Sequence, residues 1–350
     1  VNILLKQSTP TAADIIARGI NLLYQEDYPR PQNIITRKDL TMSKNASSGL
    51  SELSIRPVAG KIGAEVSGVR LSGDLDQSMA DAIRKLLYQH KVLFFRGQQH
   101  LNENEQEAFG RLFGDLVPHP TLPSVENTEN VLDVDGATGV RASLWHTDVT
   151  FVEAYPQISI LRALVVPEFG GDTMWANTAA AYQSLSPHLR DLADKLWAVH
   201  SNRSDYGGYP TGRPEALKRY HEVFVSTVYE THHPLVRVHP GTAERTIVLG
   251  HFAQKILGVS SADSGHLIPL FQGHVTRLEN IVRWRWAVGD VAMWDNRATQ
   301  HSALDDYGDQ ARVLRRVTVA GDLPVSVDGK HSVSHRKSSP PPETLPFPGQ

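Results

Sequence analysis

A candidate metal-ligand set split between two distant stretches constrains the fold of this chain more than any other feature. His146-Thr147-Asp148 lies within Trp145–Thr150, and His301 ends the stretch Trp294–His301. On a strand, residues i and i+2 point to one face, so His146 and Asp148 can present an imidazole and a carboxylate side by side. To add the His301 imidazole, the fold must bring a much later strand alongside. Two imidazoles and one carboxylate form the facial ligand triad, which leaves three cis positions of an octahedral Fe(II) open for a chelating co-substrate and O₂. The triplet alone does not decide the matter. With 16 histidines and 38 acidic residues, roughly one or two His-x-Asp/Glu triplets arise by chance. Core and surface histidines are also commoner than ligands.

A second feature bears on the same chemistry. Strand alternation over Arg312–Val319 puts Arg312 and Arg316 on one face, about 13 Å apart at strand rise. Buried guanidiniums demand anions. The competing reading is an edge strand whose arginine face is solvated.

Composition excludes several function classes. Hydrophobic residues make up 40% of the 350, enough for a sizeable core. A net charge of −3 with no long basic run lacks the footprint of a nucleic-acid binder. There is no cysteine, so disulfides, thiolate metal sites and cysteine nucleophiles are all excluded. No stretch approaches the length of apolar chain that spans a membrane, and no secretory leader is evident. A cytoplasmic setting is the expectation.

The chain divides by pattern. Residues 1–51 are polar and proline-broken, with at most a short helix near Ala12–Tyr24. Because Met42 is the first methionine, 1–41 reads as an upstream extension or gene-model artefact. The folded domain is expected over 52–328, and the proline-rich 329–350 as a disordered tail. Within the domain, Leu53–Val58 and Lys61–Val66 read as strands across a turn at Gly60. Asp76–His90 has an apolar helical face (Ala80, Ile83, Leu86, Leu87), and Val92–Arg96 reads as a buried strand. Asn102 and Glu105 resemble a capping box. Further strands are expected at Gln157–Val166, Asp172–Ala176, His233–His239, Thr246–Leu249, Ile281–Trp286, Asp290–Trp294 and Arg312–Ala320, with a turn at Asp135–Gly139. A helix from Ser186-Pro187 would bury Leu189, Leu192 and Leu196, and residues 201–216 form a surface excursion or a lid. The expected fold is mainly β with helices (α+β): a double-stranded β-helix, or jelly roll, with flanking helices and a lid loop.

Together His146-Thr147-Asp148, Gly170-Gly171-Asp172-Thr173, Trp294-Asp295-Asn296-Arg297, His301, Arg312 and Arg316 resemble the taurine dioxygenase family of Fe(II)/2-oxoglutarate oxygenases. The similarity runs from about Leu53 to about Asp328. It is strongest toward the bacterial alkylsulfatase branch, through Trp145–Tyr155 and Asp290–His301.

The resemblance implies roles residue by residue. His146, Asp148 and His301 would bind Fe(II). Arg312 would pair with the far carboxylate of 2-oxoglutarate in bidentate geometry, helped by the Thr173 hydroxyl, with Arg316 also in reach of the keto acid. His119 and Arg316 would hold the anionic sulfur group of an organosulfur substrate, and Val149 would line its pocket. The implied reaction consumes 2-oxoglutarate and O₂ and hydroxylates the carbon beside the sulfur-bearing group. An alkyl sulfate then collapses to aldehyde and sulfate. The resemblance also implies a homo-oligomer (dimer or tetramer).

Ala142 and Leu122 stand where the taurine enzyme has an asparagine and a tyrosine that help recognise its substrate's polar end. A buried ammonium without partners costs several kcal/mol, which favours an alkyl tail here. Asp205, which would repel a sulfate, is expected to face solvent or an arginine. Alternatives remain open: a taurine or alkanesulfonate dioxygenase releasing sulfite, an aryloxyalkanoate dioxygenase, a metal-dependent hydrolase, or a non-catalytic binding jelly roll.

Overall fold

Burial with a period of two builds the central layer. In β3 (Val92–Phe95) all four residues are buried; Leu93 and Phe95 join one apolar cluster, Val92 and Phe94 another. The strands β5 (Ile158–Val165) and β13 (Val291–Asp295) divide in the same way. Ile158, Ile160, Val291 and Met293 face one side, and Leu161, Ala163, Ala292 and Trp294 the other. Strands buried on both faces need a covering layer on each. They belong to a seven-stranded sheet with β1 (Ser54–Pro57), β2 (Ala64–Ser67), β4 (Leu132–Val134) and β15 (Val313–Val319). Its order is β1-β2-β3-β13-β5-β15-β4, antiparallel except between β2 and β3.

Helices cover the first face. The Asp76 side chain caps α1 (Gln77–His90) by accepting from the Met79 N–H at 2.8 Å. Asn102 and Glu105 form the expected capping box on α2 (Glu103–Arg111). Met79, Ala80, Ile83 and Leu87 of α1 and Phe109 of α2 enter the core there. The second face is covered by a sheet of β12 (Ile281–Trp284), β6 (Thr173–Asn177) and β14 (Thr299–Ala303), in the order β12-β6-β14. Phe94 of the large sheet stacks on Trp284 of the small one at 4.0 Å. These two facing sheets are the jelly roll.

Around it lie α3 (Thr178–Gln183), α4 (Pro187–Ala193), α5 (Glu215–Phe224) and α6 (Ser261–Val275). A four-stranded sheet adds β11 (Ala253–Ile256), β7 (Trp197–Ser201), β8 (Glu230–Pro234) and β17 (Val333–Ser334), and a three-stranded one β10 (Arg245–Ile247), β9 (Val236–Val238) and β16 (Val325–Ser326). The computed structural model describes residues 53–134, 140–206 and 215–335; the helix near Ala12–Tyr24 and the turn at Asp135–Gly139 lie outside them. No described helix is long and apolar enough to cross a membrane.

Several expectations need adjusting. β15 lies between β5 and β4, so the edge-strand reading of its arginines fails. Leu192 is 38% exposed rather than core, because α4 ends at Ala193 and only one side of it packs inward. β14 and α6 were not foreseen. The domain boundary expected at 328 falls before β17, which pairs antiparallel with β8.

Two buried histidines behind the site make stability depend on pH. His233 Nε2 lies 2.7 Å from the Thr150 carbonyl, an acceptor only, so the ring proton sits on Nε2 and Nδ1 accepts from Ser332 Oγ at 2.7 Å. His200 packs 5.0 Å away with Nδ1 on Thr150 Oγ1 at 2.9 Å. Burial pushes His233 down to about 3 and His200 well below its ordinary value. Both stay neutral in the folded protein while the unfolded chain protonates them below about pH 6.5, so stability falls as pH falls from there toward 3. Urea unfolding of the metal-free protein should lose up to about 1.4 kcal/mol per histidine per pH unit below pH 6.5. A His233→Gln variant should show a shallower slope over the same window.

Candidate metal centre

The stretch His146-Thr147-Asp148 is not the regular strand its spacing suggests. It is a single antiparallel bridge, His146 to His301, followed by a turn from Asp148. The His146 N–H donates to the His301 carbonyl at 3.0 Å, and the His301 N–H to the His146 carbonyl at 2.8 Å. The imidazoles are therefore cross-strand neighbours, their rings 4.2 Å apart. The chain then turns through Val149 at φ +60°, a conformation costing a β-branched residue about 1–3 kcal/mol. Asn296 secures the turn. Its Oδ1 accepts from the Asp148 N–H at 2.9 Å, and its Nδ2 donates to the carbonyls of Asp148 (3.1 Å) and Pro156 (2.8 Å).

This turn brings Asp148 back to the two rings. Nε2 of His146 and of His301 lie 3.7 and 3.8 Å from Asp148 Oδ1. The three ligand atoms lie within 4.8 Å of one another, and all three residues are buried. His146 Nδ1 lies 2.6 Å from the Leu144 carbonyl, so its proton sits there and Nε2 offers a lone pair. Ser159 Oγ donates to Asp148 Oδ2 at 2.8 Å, while Arg316 pairs with Oδ1. Burial pushes Asp148 up, but the Arg316 guanidinium and the two imidazoles outweigh it and hold the carboxyl below its usual range. Burial also lowers His301 to about 4 and His146 well below its ordinary value. At neutral pH the set is one carboxylate and two neutral imidazoles, the protonation states a divalent cation requires. Two nitrogens and one oxygen on one side of a pocket fit Fe(II) with open positions.

The Asn296 clamp yields a direct expectation. Asn296→Ala frees the Asp148 backbone without touching any ligand atom. It should weaken Fe(II) binding by roughly 10–100-fold, read by anaerobic titration.

Arg312 and Thr173 meet a short distance away. Arg312 precedes β15 rather than lying in it, at a register shift between Val313 and Leu314. Its Nε donates to the Gly171 carbonyl at 2.8 Å and its Nη2 to Thr173 Oγ1 at 3.1 Å. Gly171 has φ +66°, and a Cβ there would sit 3.0 Å from Arg312 Cδ. Glycine is what lets the guanidinium lie against the backbone. Thr173 Oγ1 also accepts from Trp286 Nε1 at 3.0 Å. With both lone pairs engaged, the Thr173 proton is left to donate to a ligand. Burial lowers Arg312 to about 10, whereas Asp148 more than offsets burial at Arg316 and raises it. One cavity is lined by His146, His301, Thr173, Arg312 and Arg316 together with Tyr206.

His119 and Val149, expected at the substrate, do not line this cavity; Tyr206 is the lining residue that His119 meets. Val149 and Leu122 belong to an apolar cluster with Phe151, Tyr206, Phe224 and Phe252, and Ala142 packs against it. His119 faces this cluster, 5.5 Å from the Phe224 ring. Asp205 does not face solvent: it is fully buried, with Oδ2 3.2 Å from His221 Nδ1 on α5. Sequence reasoning gave no site role to Ser159 or Trp286, and placed Tyr206 only within the 201–216 excursion or lid. Asn296 sat inside a noted motif, but its role as a clamp depends on a turn that no spacing shows.

Comparison with known proteins agrees with this geometry. The family model described as taurine catabolism dioxygenase TauD, TfdA family matches residues 54–318. An alpha-ketoglutarate-dependent sulfate ester dioxygenase of Pseudomonas putida is 61% identical, over 82% of this chain and 95% of its own length. An alkylsulfatase of Acinetobacter baylyi is 53% identical, over 79% of this chain and 88% of its own. Among solved structures, a taurine dioxygenase from Burkholderia xenovorans superposes with a TM-score of 0.69 at 38% identity, covering 82% of this chain and 95% of that one.

Proposed function

The chain belongs to the taurine catabolism dioxygenase TauD, TfdA family, and on that premise we propose that it oxidises alkyl sulfates at the carbon bearing the sulfate. It is an Fe(II)/2-oxoglutarate-dependent dioxygenase. The observation that supports the substrate reading is that His119 and Arg316 both approach the Tyr206 side chain, beside a cluster of apolar and aromatic side chains that includes Leu122 and Val149.

His146, Asp148 and His301 would hold the iron. Bound there with 2-oxoglutarate and O₂, Fe(II) supplies the oxidising power that removes a C–H hydrogen and returns a hydroxyl, while the keto acid becomes succinate and CO₂. The protein's own residues position the reactants. Arg312 offers a guanidinium fork, and Thr173 a hydroxyl proton, to the distal carboxylate of 2-oxoglutarate. Arg316 and His119 would fix the sulfate so that the adjoining CH₂ faces the metal. The hydroxylated ester, R–CH(OH)–OSO₃⁻, then breaks its C–O bond to give aldehyde and hydrogensulfate. A metal-dependent hydrolase could use the same triad, but it leaves the Arg312–Thr173–Trp286 arrangement without a purpose.

The test is succinate release with Fe(II), 2-oxoglutarate and equal concentrations of hexyl sulfate, hexanesulfonate, taurine or an aryloxyacetate. Each methylene buried against the apolar wall should add up to about 0.8 kcal/mol, so hexyl sulfate should exceed taurine by orders of magnitude. A preference for taurine would sink the apolar-pocket argument. A preference for the aryloxyacetate would reassign the substrate and leave the metal and keto-acid assignments standing.

A further inference from the structure

Tyr206 has no role in the scheme above, yet it reaches the middle of the site. It is 5% exposed and its ring lies 4.8 Å from that of His146. Phe224 and Phe252 hold it edge-on at 5.3 and 5.2 Å. Its hydroxyl is 3.4 Å from His119 Nε2 and lies near the Arg316 guanidinium and the Val149 backbone N–H. Burial pushes the phenol above its ordinary pKa, so it is neutral.

His119 points a donor at this hydroxyl. Its Nδ1 accepts from the backbone N–H groups of Leu122 (3.1 Å) and Thr121 (3.3 Å), so the neutral ring carries its proton on Nε2. Three donor groups, those of His119, Arg316 and Val149, therefore lie around one uncharged oxygen with two lone pairs, with His119 at 3.4 Å. The arrangement is imperfectly satisfied: the His119 contact is long for a hydrogen bond, and Arg316 Nε is buried with no hydrogen-bond partner. A sulfate head would bring three terminal oxygens and a full negative charge to the same donors.

We propose that Tyr206 is a built-in occupant of the anion subsite, whose hydroxyl the substrate's sulfate must displace. The alkyl sulfate reading identifies the anion; the competition itself follows from the shared donors. Tyr206 thus acts as a specificity gate. A neutral head such as an alcohol exchanges one uncharged hydroxyl for another and gains nothing, whereas an anion gains charge-assisted bonds. Occupancy by the phenol also keeps Arg316 and His119 solvated by protein while no substrate is present.

The experiment uses the full chain loaded anaerobically with Fe(II) and 2-oxoglutarate, as wild type, Tyr206→Phe and Tyr206→Leu. Hexyl sulfate and inorganic sulfate are titrated by calorimetry, and hexyl sulfate binding is followed by stopped-flow fluorescence. Removing the competing hydroxyl should tighten both ligands on the order of tenfold, the worth of one hydrogen bond to a charged group. The wild-type binding rate should level off at high hexyl sulfate because the phenol must first leave, and it should rise linearly in both variants. Weaker binding in Tyr206→Phe would make the phenol a substrate ligand and overturn the proposal, as would unchanged binding with identical kinetics. Inorganic sulfate separates the two readings. If it tightens while hexyl sulfate is not turned over, the gate stands and the substrate assignment falls.

Discussion

Asp148→Ala should abolish succinate formation and lower Fe(II) affinity sharply, because it removes the only carboxylate of the ligand set. The same substitution strips Arg316 of its buried partner. Breaking a buried ion pair at one end leaves an uncompensated charge and costs about 3–5 kcal/mol, so the variant should also unfold at markedly lower urea. Asp148→Asn isolates the charge from the shape. It keeps the shape and the Ser159 contact but lacks the charge, so it too should be inactive. The measurements are anaerobic Fe(II) titration and coupled succinate release. Near-normal turnover in either variant would remove Asp148 from the metal.

Arg312→Leu should leave iron binding intact and raise the 2-oxoglutarate requirement. A desolvated, charge-assisted pair lost on one side is worth roughly 2–5 kcal/mol, or about 30- to several-thousand-fold in KM. Arg312→Lys should fall between, since an ammonium keeps the charge but cannot reproduce the fork that touches the Gly171 carbonyl and Thr173 together. The readout is KM for 2-oxoglutarate against kcat at saturating co-substrate. If KM is unchanged, the carboxylate is anchored elsewhere.

The residues legible in the sequence were those whose chemistry is unusual for their setting. His146, Asp148 and His301 stand out because titratable groups at strand spacing demand a reason, and Arg312 and Arg316 because guanidiniums alternate with apolar residues in a strand. α1 and α2 were legible because local caps and an apolar helical face announce them. What could not be read depends on tertiary partners. β14 carries Thr299, Gln300, His301 and Ser302, a polar run that looks like loop. It is buried only because Asp295, Gln272 and Ser143 accept or exchange its side-chain hydrogen bonds. α6 contains Pro269 inside its span, a residue that argues against a helix interior, and it is held by packing of Phe271 and Val275 in the core. In the sequence Tyr206 is only part of the 201–216 excursion or lid; the fold sets it beside His146. The strand through His146 was read from spacing that a bridge and a strained turn satisfy equally well.

The pairing of His146 with His301 also has a consequence in time. Asp148 and Arg316 are 168 positions apart, and the bridge beside them closes a loop nearly as long. Contacts of that separation form only after a large entropic loss has been met by other structure. A nascent or half-folded chain therefore holds no competent iron site. Redox chemistry becomes available only when both ends of the barrel have met, which keeps an oxidant from being generated next to an exposed, unfinished core.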